Sequence, residues 1–283
     1  MRINNNITAI NSHRQYSINN NKIGKNVEKL SSGFRVNRAG DDAAGLAISE
    51  KMRAQIRGLN MASKNSQDAI SLVQVAEGGM QTIQDILQRM RELAVQSISD
   101  TNETTVDRAA LDAEVQQLKE EIKDISNTTE FNTMKLLNGT APFGVNKLEP
   151  EDGDGGVIQA GANPNQTMRI AIPSMGLGGL GLSATEVKTG DTSETALKAI
   201  NTAINRVSTF RARLGAYQNR LEYKIQNLDN AAENMAAAES RIRDVDMAKA
   251  MTEFTKNNIL FQASTAMLAQ ANALPQSVLQ LLG

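Results

Sequence analysis

The sequence predicts a mainly α fold, an elongated antiparallel helical bundle or coiled coil with a small central β-hairpin region. Three observations predict it. Apolar residues recur at spacings of three and four through roughly the first 125 residues and again from about residue 193 onward, the signature of amphipathic helices. Between them, residues 138–192 hold most of the proline and much of the glycine, among them Gly139, Pro142, Pro150, Gly155, Gly156, Pro164, Pro173 and Gly176, which punctuate helices. Finally, the 283 residues include no Trp, 6 Phe and 3 Tyr against 12 Met, so burial rests on Ala, Leu, Ile, Val and Met in helix–helix seams.

The elements follow in order. Ile3, Ile7 and Ile10, then Ile23, Val27 and Leu30, form a thin apolar stripe on an Asn-rich helix. The run Gly40-Asp41-Asp42-Ala43-Ala44-Gly45 reads as a turn, with Asp41 or Asp42 capping the next helix and both glycines letting the chain bend. Its adjacent carboxylates cannot flank a substrate as glycosidase acids do. A long helix carries Leu59, Ala62, Ala69 and Val73, passes a local bend at Gly78-Gly79, and continues through Met80, Ile83, Leu87, Met90 and Ala94. It ends near Ser99-Asp100-Thr101-Asn102, a cluster of turn formers.

A second helix carries Leu111, Val115, Leu118, Ile122 and Ile125 and stops at Ser126-Asn127-Thr128-Thr129. Residues 157–172 read as two short strands joined by Asn163-Pro164-Asn165. The acidic, Gly-rich Glu151–Gly156 segment before them lacks calcium-loop spacing and reads as a solvated loop. The returning helix keeps Leu197, Ile200, Ile204, Val207, Leu214, Leu221, Ile225, Leu228, Met235, Ile242 and Val245 in heptad-like register, on the order of 70 Å of rod. Leu260, Met267, Ala271, Leu274, Val278 and Leu281 make a closing stripe. The two terminal stripes are too thin to be stable alone and are expected to order only against partners.

Composition excludes several function classes. A net charge of −1 offers nothing to nucleic acid or an anionic membrane. With no Cys and His13 as the single histidine, thiol chemistry, thiolate metal sites and multi-His metal sites are ruled out, and no cofactor or catalytic residue is expected. No apolar run reaches membrane-spanning length. The N-terminal residues lack a secretory-signal core, so export would need another route.

Four segments carry a family resemblance: KLSSGFRVNRAGDDAAGLAISEKMRAQIRGL (29–59), LQRMRELAVQS (87–97), TEFNTMKLLNG (129–139) and the 71 residues from Arg213 to Gly283. The chain resembles bacterial flagellin, the filament subunit of the flagellum, in a short form without large outer domains. The resemblance implies that residues 1–40 with 245–283 form an inner tube of paired helices and that residues 41–244 form a spoke bundle with the hairpin. It implies a secreted, extracellular, non-enzymatic protein of the flagellum that polymerises with itself for swimming motility. Implied partners are the export chaperone and type III export apparatus, the filament cap and the junction proteins, with no nucleic acid and no membrane. Contacts between copies are expected from Ile3, Ile7, Ile10, Val27 and Leu30 with Leu260, Met267, Leu274 and Val278.

Flagellins that engage the innate receptor Toll-like receptor 5 present an Arg, a Leu and a Glu on adjoining helices. The matching positions here are Arg89, Leu93 and Glu114, with Gln88 and Gln96 beside them. Other readings are weaker. A metallopeptidase insertion needs a histidine pair that the chain lacks, and a chemoreceptor-like coiled coil would lack the strands. A hook–filament junction protein, which shares the terminal helices, is the runner-up.

Overall fold

The structure, a computed structural model, describes residues 6–99, 106–140, 142–145 and 154–282, with residues 274–282 described by their backbone alone. Six α-helices and six short strands are present among them: α1 (Ile7–Ser32), α2 (Ala43–Ile98), α3 (Asp107–Thr128), β1 (Glu130–Phe131), β2 (Met134–Lys135), β3 (Gly144–Val145), β4 (Gly156–Gln159), β5 (Thr167–Ile170), β6 (Ile172–Pro173), α4 (Leu177–Leu180), α5 (Gly190–Arg243) and α6 (Met247–Leu282). The chain divides into two compact units, residues 1–54 with 233–283 and residues 55–232, called unit 1 and unit 2 below.

Unit 2 is built around one apolar core. The stripe Met80, Ile83, Leu87, Met90 and Ala94 is fully buried, and it meets Val115 and Ile122 of α3 and Ile200, Val207 and Leu221 of α5. Polar contacts set the directions of the helices. Ser63 donates to Asp229 and Arg211 to Gln84, so α5 runs antiparallel to α2, while Arg89 bonds Glu114 across from α3. The β4–β5 hairpin closes one side through Ile158, Met168 and Ile170, in the register Gly156↔Ile170 to Gln159↔Thr167. Its turn bends where Asn165 takes a positive φ of 67°, a conformation that asparagine tolerates well.

Gly78-Gly79 does not interrupt α2, which is one continuous helix from Ala43 to Ile98. Gly79 allows a close approach. A Cβ there would lie 2.8 Å from Leu137 Cδ1 and 2.9 Å from Thr129 Oγ1, so the missing side chain lets the β1–β2 region press against the helix. That tight hairpin, Glu130↔Lys135 with Asn132 and Thr133 at positive φ, and the parallel pair β3–β6 were not foreseen from the sequence.

A polar clamp holds the loop that leads into α5. Asp112 accepts from the Val187 amide at 3.0 Å, Ser97 donates to the Val187 carbonyl at 2.7 Å, and Lys119 Nζ donates to the Ser183 and Thr185 carbonyls at 3.2 Å each. Asp112 and Lys119 are both buried, and these bonds offset the desolvation that burial imposes on them.

Unit 1 has little interior: its nearly inaccessible apolar residues are Val36, Ala250 and Ala271, among the described residues. Its helices α1 and α6 lie antiparallel. Each helix packs against the other, and hydrogen-bonding side chains supplement the thin stripes. The ends of the helices are clipped together where Phe34 bridges Asp244 and the Arg243 guanidinium lies 4.7 Å from the Phe34 ring centre. Asp42 caps α2 by accepting from the Gly45 amide at 2.8 Å. Gly45 is therefore not a turn residue. It sits in the first turn of the helix, where a Cβ would collide with the capping carboxylate.

Candidate functional site

Two surfaces answer to the residues expected to carry function. The first is the α1–α6 pair of unit 1. Its seam is held by Asn6 Nδ2 donating to the Ala271 carbonyl at 2.7 Å, by Asn19 Nδ2 donating to Ser264 Oγ at 2.8 Å, and by the Tyr16 and Phe261 rings with centroids 4.9 Å apart. Asn19 is buried.

The larger apolar side chains lie outside this seam. Ile7 is 66% exposed, Ile10 65% and Met267 63%, and Val27 and Leu260 are also exposed, whereas Leu30 is half-buried. Leu260 and Met267 line one groove of about 330 Å³ together with Asn11, Ser12 and Gln15. Ile3 lies outside the described residues, and Leu274 and Val278 belong to α6 with their side chains outside them. Ile18, Ile259, Met247 and Met251 are exposed on the same two helices and were missed. Ile18 was legible in the spacing, since it follows Ile7 by three helical turns.

The second surface lies on α2 and α3 in unit 2. Arg89 sends Nε and Nη2 to Glu114 Oε1, at 3.0 and 2.8 Å, and Nη1 to Glu92 Oε2 at 3.2 Å. The two carboxylates, Glu114 foremost, raise the Arg89 pKa further above its already high value. Arg89 remains half open to solvent, and Gln88 and Gln96 are exposed.

Leu93 departs from its expected role as a contact residue: it is 1% exposed and packs in the core. Its position in the heptad explains this, three residues after Met90 and six after Leu87 on the stripe that faces α3 and α5. Glu92, which the sequence reading did not single out, takes part in the surface through Arg89. A Glu three residues after an Arg on one helix was the available signal.

Neither surface has the makings of a metal centre: among the described residues no group of three or more His, Cys, Asp or Glu side chains converges. The Glu151–Gly153 part of the acidic loop lies outside the described residues.

Comparison with known proteins gives the following. Residues 3–141 match the family model described as "Bacterial flagellin N-terminal helical region" and residues 197–282 that of the "Bacterial flagellin C-terminal helical region". The chain is 55% identical to a flagellin of Halalkalibacterium halodurans and 52% identical to a flagellin of Bacillus subtilis, each over 100% of both chains. It is 46% identical to flagellin FlaB1 of Treponema pallidum, again over 100% of both. Among solved structures, a putative flagellar hook-associated protein from Vibrio parahaemolyticus matches with a TM-score of 0.57 at 13% identity, covering 72% of this chain and 100% of that one, a likeness of fold alone.

Proposed function

The chain belongs to the bacterial flagellin family and is a structural subunit of a flagellar filament, and from that premise we propose that residues 1–40 with 245–283 form the inner tube of the filament and residues 41–244 its spoke. The observation that carries this reading is the exposure of Ile7, Ile10, Val27, Leu260 and Met267 on a helix pair with almost no interior. Apolar side chains left in water on an ordered helix favour association, and copies joined head to tail without closing a ring build a helical polymer. Ile3, Leu30, Leu274 and Val278 extend the same faces in this reading. Chains lacking residues 1–40 or 245–283 should stay soluble and monomeric at concentrations where the full chain sediments as filaments. Polymerisation of either truncated chain would refute the reading.

The same faces account for the partners. Before assembly they need cover, which an export chaperone supplies, and a type III export apparatus delivers the chain to the outside of the cell. The cap and junction proteins meet the two ends of the polymer. The balanced charge leaves no part for nucleic acid or membrane, and the family is a structural one, so no catalytic step enters.

The Arg89 surface supports a further reading, as a contact for Toll-like receptor 5. Gln88, Arg89, Gln96 and Glu114 make the contact, while Leu93 anchors the helix beneath them. A fixed Arg–Glu pair presents a planar donor fork whose geometry is set before binding. Replacing Arg89→Ala should weaken receptor binding about tenfold or more, as expected for a central Arg at an interface. Surface plasmon resonance with the receptor ectodomain would show it, and unchanged affinity would remove the site.

A further inference from the structure

The bend that follows β2 holds the only Asn-Gly pair of the sequence, Asn138-Gly139. The chain is pinned on both sides of it. Leu136 and Leu137 are fully buried, and the Leu137 carbonyl accepts from the Met175 amide at 2.8 Å and from Ser126 Oγ at 3.1 Å. On the other side the Thr140 carbonyl accepts from the Gly144 amide at 2.9 Å. Between these anchors Gly139 takes a φ of 81°, a conformation open to glycine without steric cost.

The Asn138 side chain is held as well. Its Oδ1 accepts from the Thr140 amide at 3.0 Å and from Thr140 Oγ1 at 2.5 Å, the contact an asparagine makes with the backbone two residues on. Two donors on one amide oxygen polarise Cγ and stand where negative charge collects if a nucleophile adds to it. The nucleophile within reach is the next nitrogen of the same chain, so no encounter has to be arranged. Among the described residues no group accepts from the Gly139 amide, and glycine brings no side chain to obstruct it. Thr140 is exposed and Asn138 half-buried, which gives water access to the pair.

We propose that Asn138 is a site of fold-assisted covalent modification, closing on Gly139 to a succinimide that water opens to aspartate or isoaspartate, with Thr140 as the donor that stabilises the oxyanion. The Gly139 nitrogen gives up its proton to solvent base and bonds to Asn138 Cγ. The tetrahedral oxyanion on Oδ1 then collapses, the Cγ–Nδ2 bond breaks, and Nδ2 leaves as ammonia with a proton returned by solvent. Water adds to one of the two imide carbonyls. Attack at Cγ breaks its bond to the Gly139 nitrogen and leaves aspartate, whereas attack at the Asn138 main-chain carbonyl leaves isoaspartate, with the chain now running through Cβ and Cγ. No electrons change hands and water is the one co-reactant. Either product adds a negative charge to unit 2, and isoaspartate also lengthens the backbone by a methylene between the Leu137 and Thr140 anchors. An old chain thus differs chemically from a new one at this bend.

The full chain, kept folded in mildly alkaline buffer, tests this. Trypsin releases residues 136–147 as one peptide, whose mass should rise with time by the exchange of an amide NH2 for OH. Fragmentation should place the change at Asn138 and leave Asn146 an amide. The rate in the folded chain should exceed that of the same chain unfolded in guanidinium, a comparison that needs no variant. Thr140→Val keeps the amide donor and removes the hydroxyl, so it should slow the change about three- to tenfold, the contribution of one hydrogen bond, and Thr140→Ser should restore it. Far-UV circular dichroism checks that both variants keep their helices. No mass gain at Asn138, a folded rate at or below the unfolded one, or a folded Thr140→Val chain that reacts as fast as the parent would overturn the proposal. None of these outcomes depends on polymerisation, so the filament reading stands or falls separately.

Discussion

In unit 2 the apolar residues at helical spacing meet across three helices and a hairpin, and Met80, Ile83, Leu87, Met90, Ile122 and Ile200 lose all contact with water. In unit 1 the same kind of spacing leaves Ile7 and Ile10 about two-thirds exposed. The difference is one of layer count rather than composition. A stripe on a helix needs surfaces on both sides to bury it, and α1 and α6 have only each other. The unit with enough layers stores its stability internally, and the one without keeps apolar surface for a later event. Periodicity in the sequence announces a buried face without saying which chain will bury it.

The contrast can be broken by substitution. The largest effect is expected in unit 2, where Leu87→Ala should destabilise the chain by roughly 2–5 kcal/mol through lost burial and a cavity, read from the denaturant midpoint of the monomer. An equal loss from a comparable truncation on α1 would erase the distinction. Next comes the clamp on the loop before α5. Asp112→Ala strips the Val187 amide of its acceptor and should cost about 1–3 kcal/mol, visible as a lowered Tm and faster hydrogen exchange at Val187.

Ile10→Ser should then change monomer stability by no more than about 0.5 kcal/mol, as exposed substitutions do, yet raise the concentration needed for filament formation, measured by sedimentation. A monomer as unstable as the Leu87 variant would mean that α1 is core after all.

The smallest effect is electrostatic. Backbone amides of Arg38 and Asn37 lower the Asp41 pKa, and a hydrogen bond from Arg243 lowers that of Glu50. Groups whose folded pKa lies below the unfolded value add stability above the unfolded value and lose it as pH falls through the folded one. The turn at Asn37–Asp41 and the Glu50–Arg243 contact should therefore loosen below roughly pH 4. Hydrogen exchange at the Asn37 and Arg38 amides would report it, and rates that follow only the intrinsic pH dependence would count against it.

The long helices and the β4–β5 hairpin were legible because they are written in local patterns: spacings of three and four, and alternation around Asn-Pro-Asn. The pair β3–β6 was not, since Gly144 meets Ile172 across a span that no local pattern encodes. The β1–β2 turn was hidden by its residues, because Thr133 at φ 66° contradicts the stiffness of a β-branched side chain. The role of Gly79 was illegible for another reason. A glycine in a helix can mark a bend or a close neighbour, and only the position of Leu137 distinguishes them. Of the candidate residues, the spacing that makes Leu93 a member of the stripe already implied its burial, whereas Arg89 and Glu114 meet between two helices that sequence alone does not align.

Asn19, buried against Ser264 and the Leu260 carbonyl, has a further consequence. Leucine would adhere at several alignments of two sliding helices, but an amide finds its hydrogen-bonding partners at one and leaves them unmet one turn away. The residue acts as an index mark rather than glue. The two ends of the chain, 241 residues apart at this contact, can thus settle on a common alignment before any strong adhesion locks them, and every copy presents the same outer face to the next.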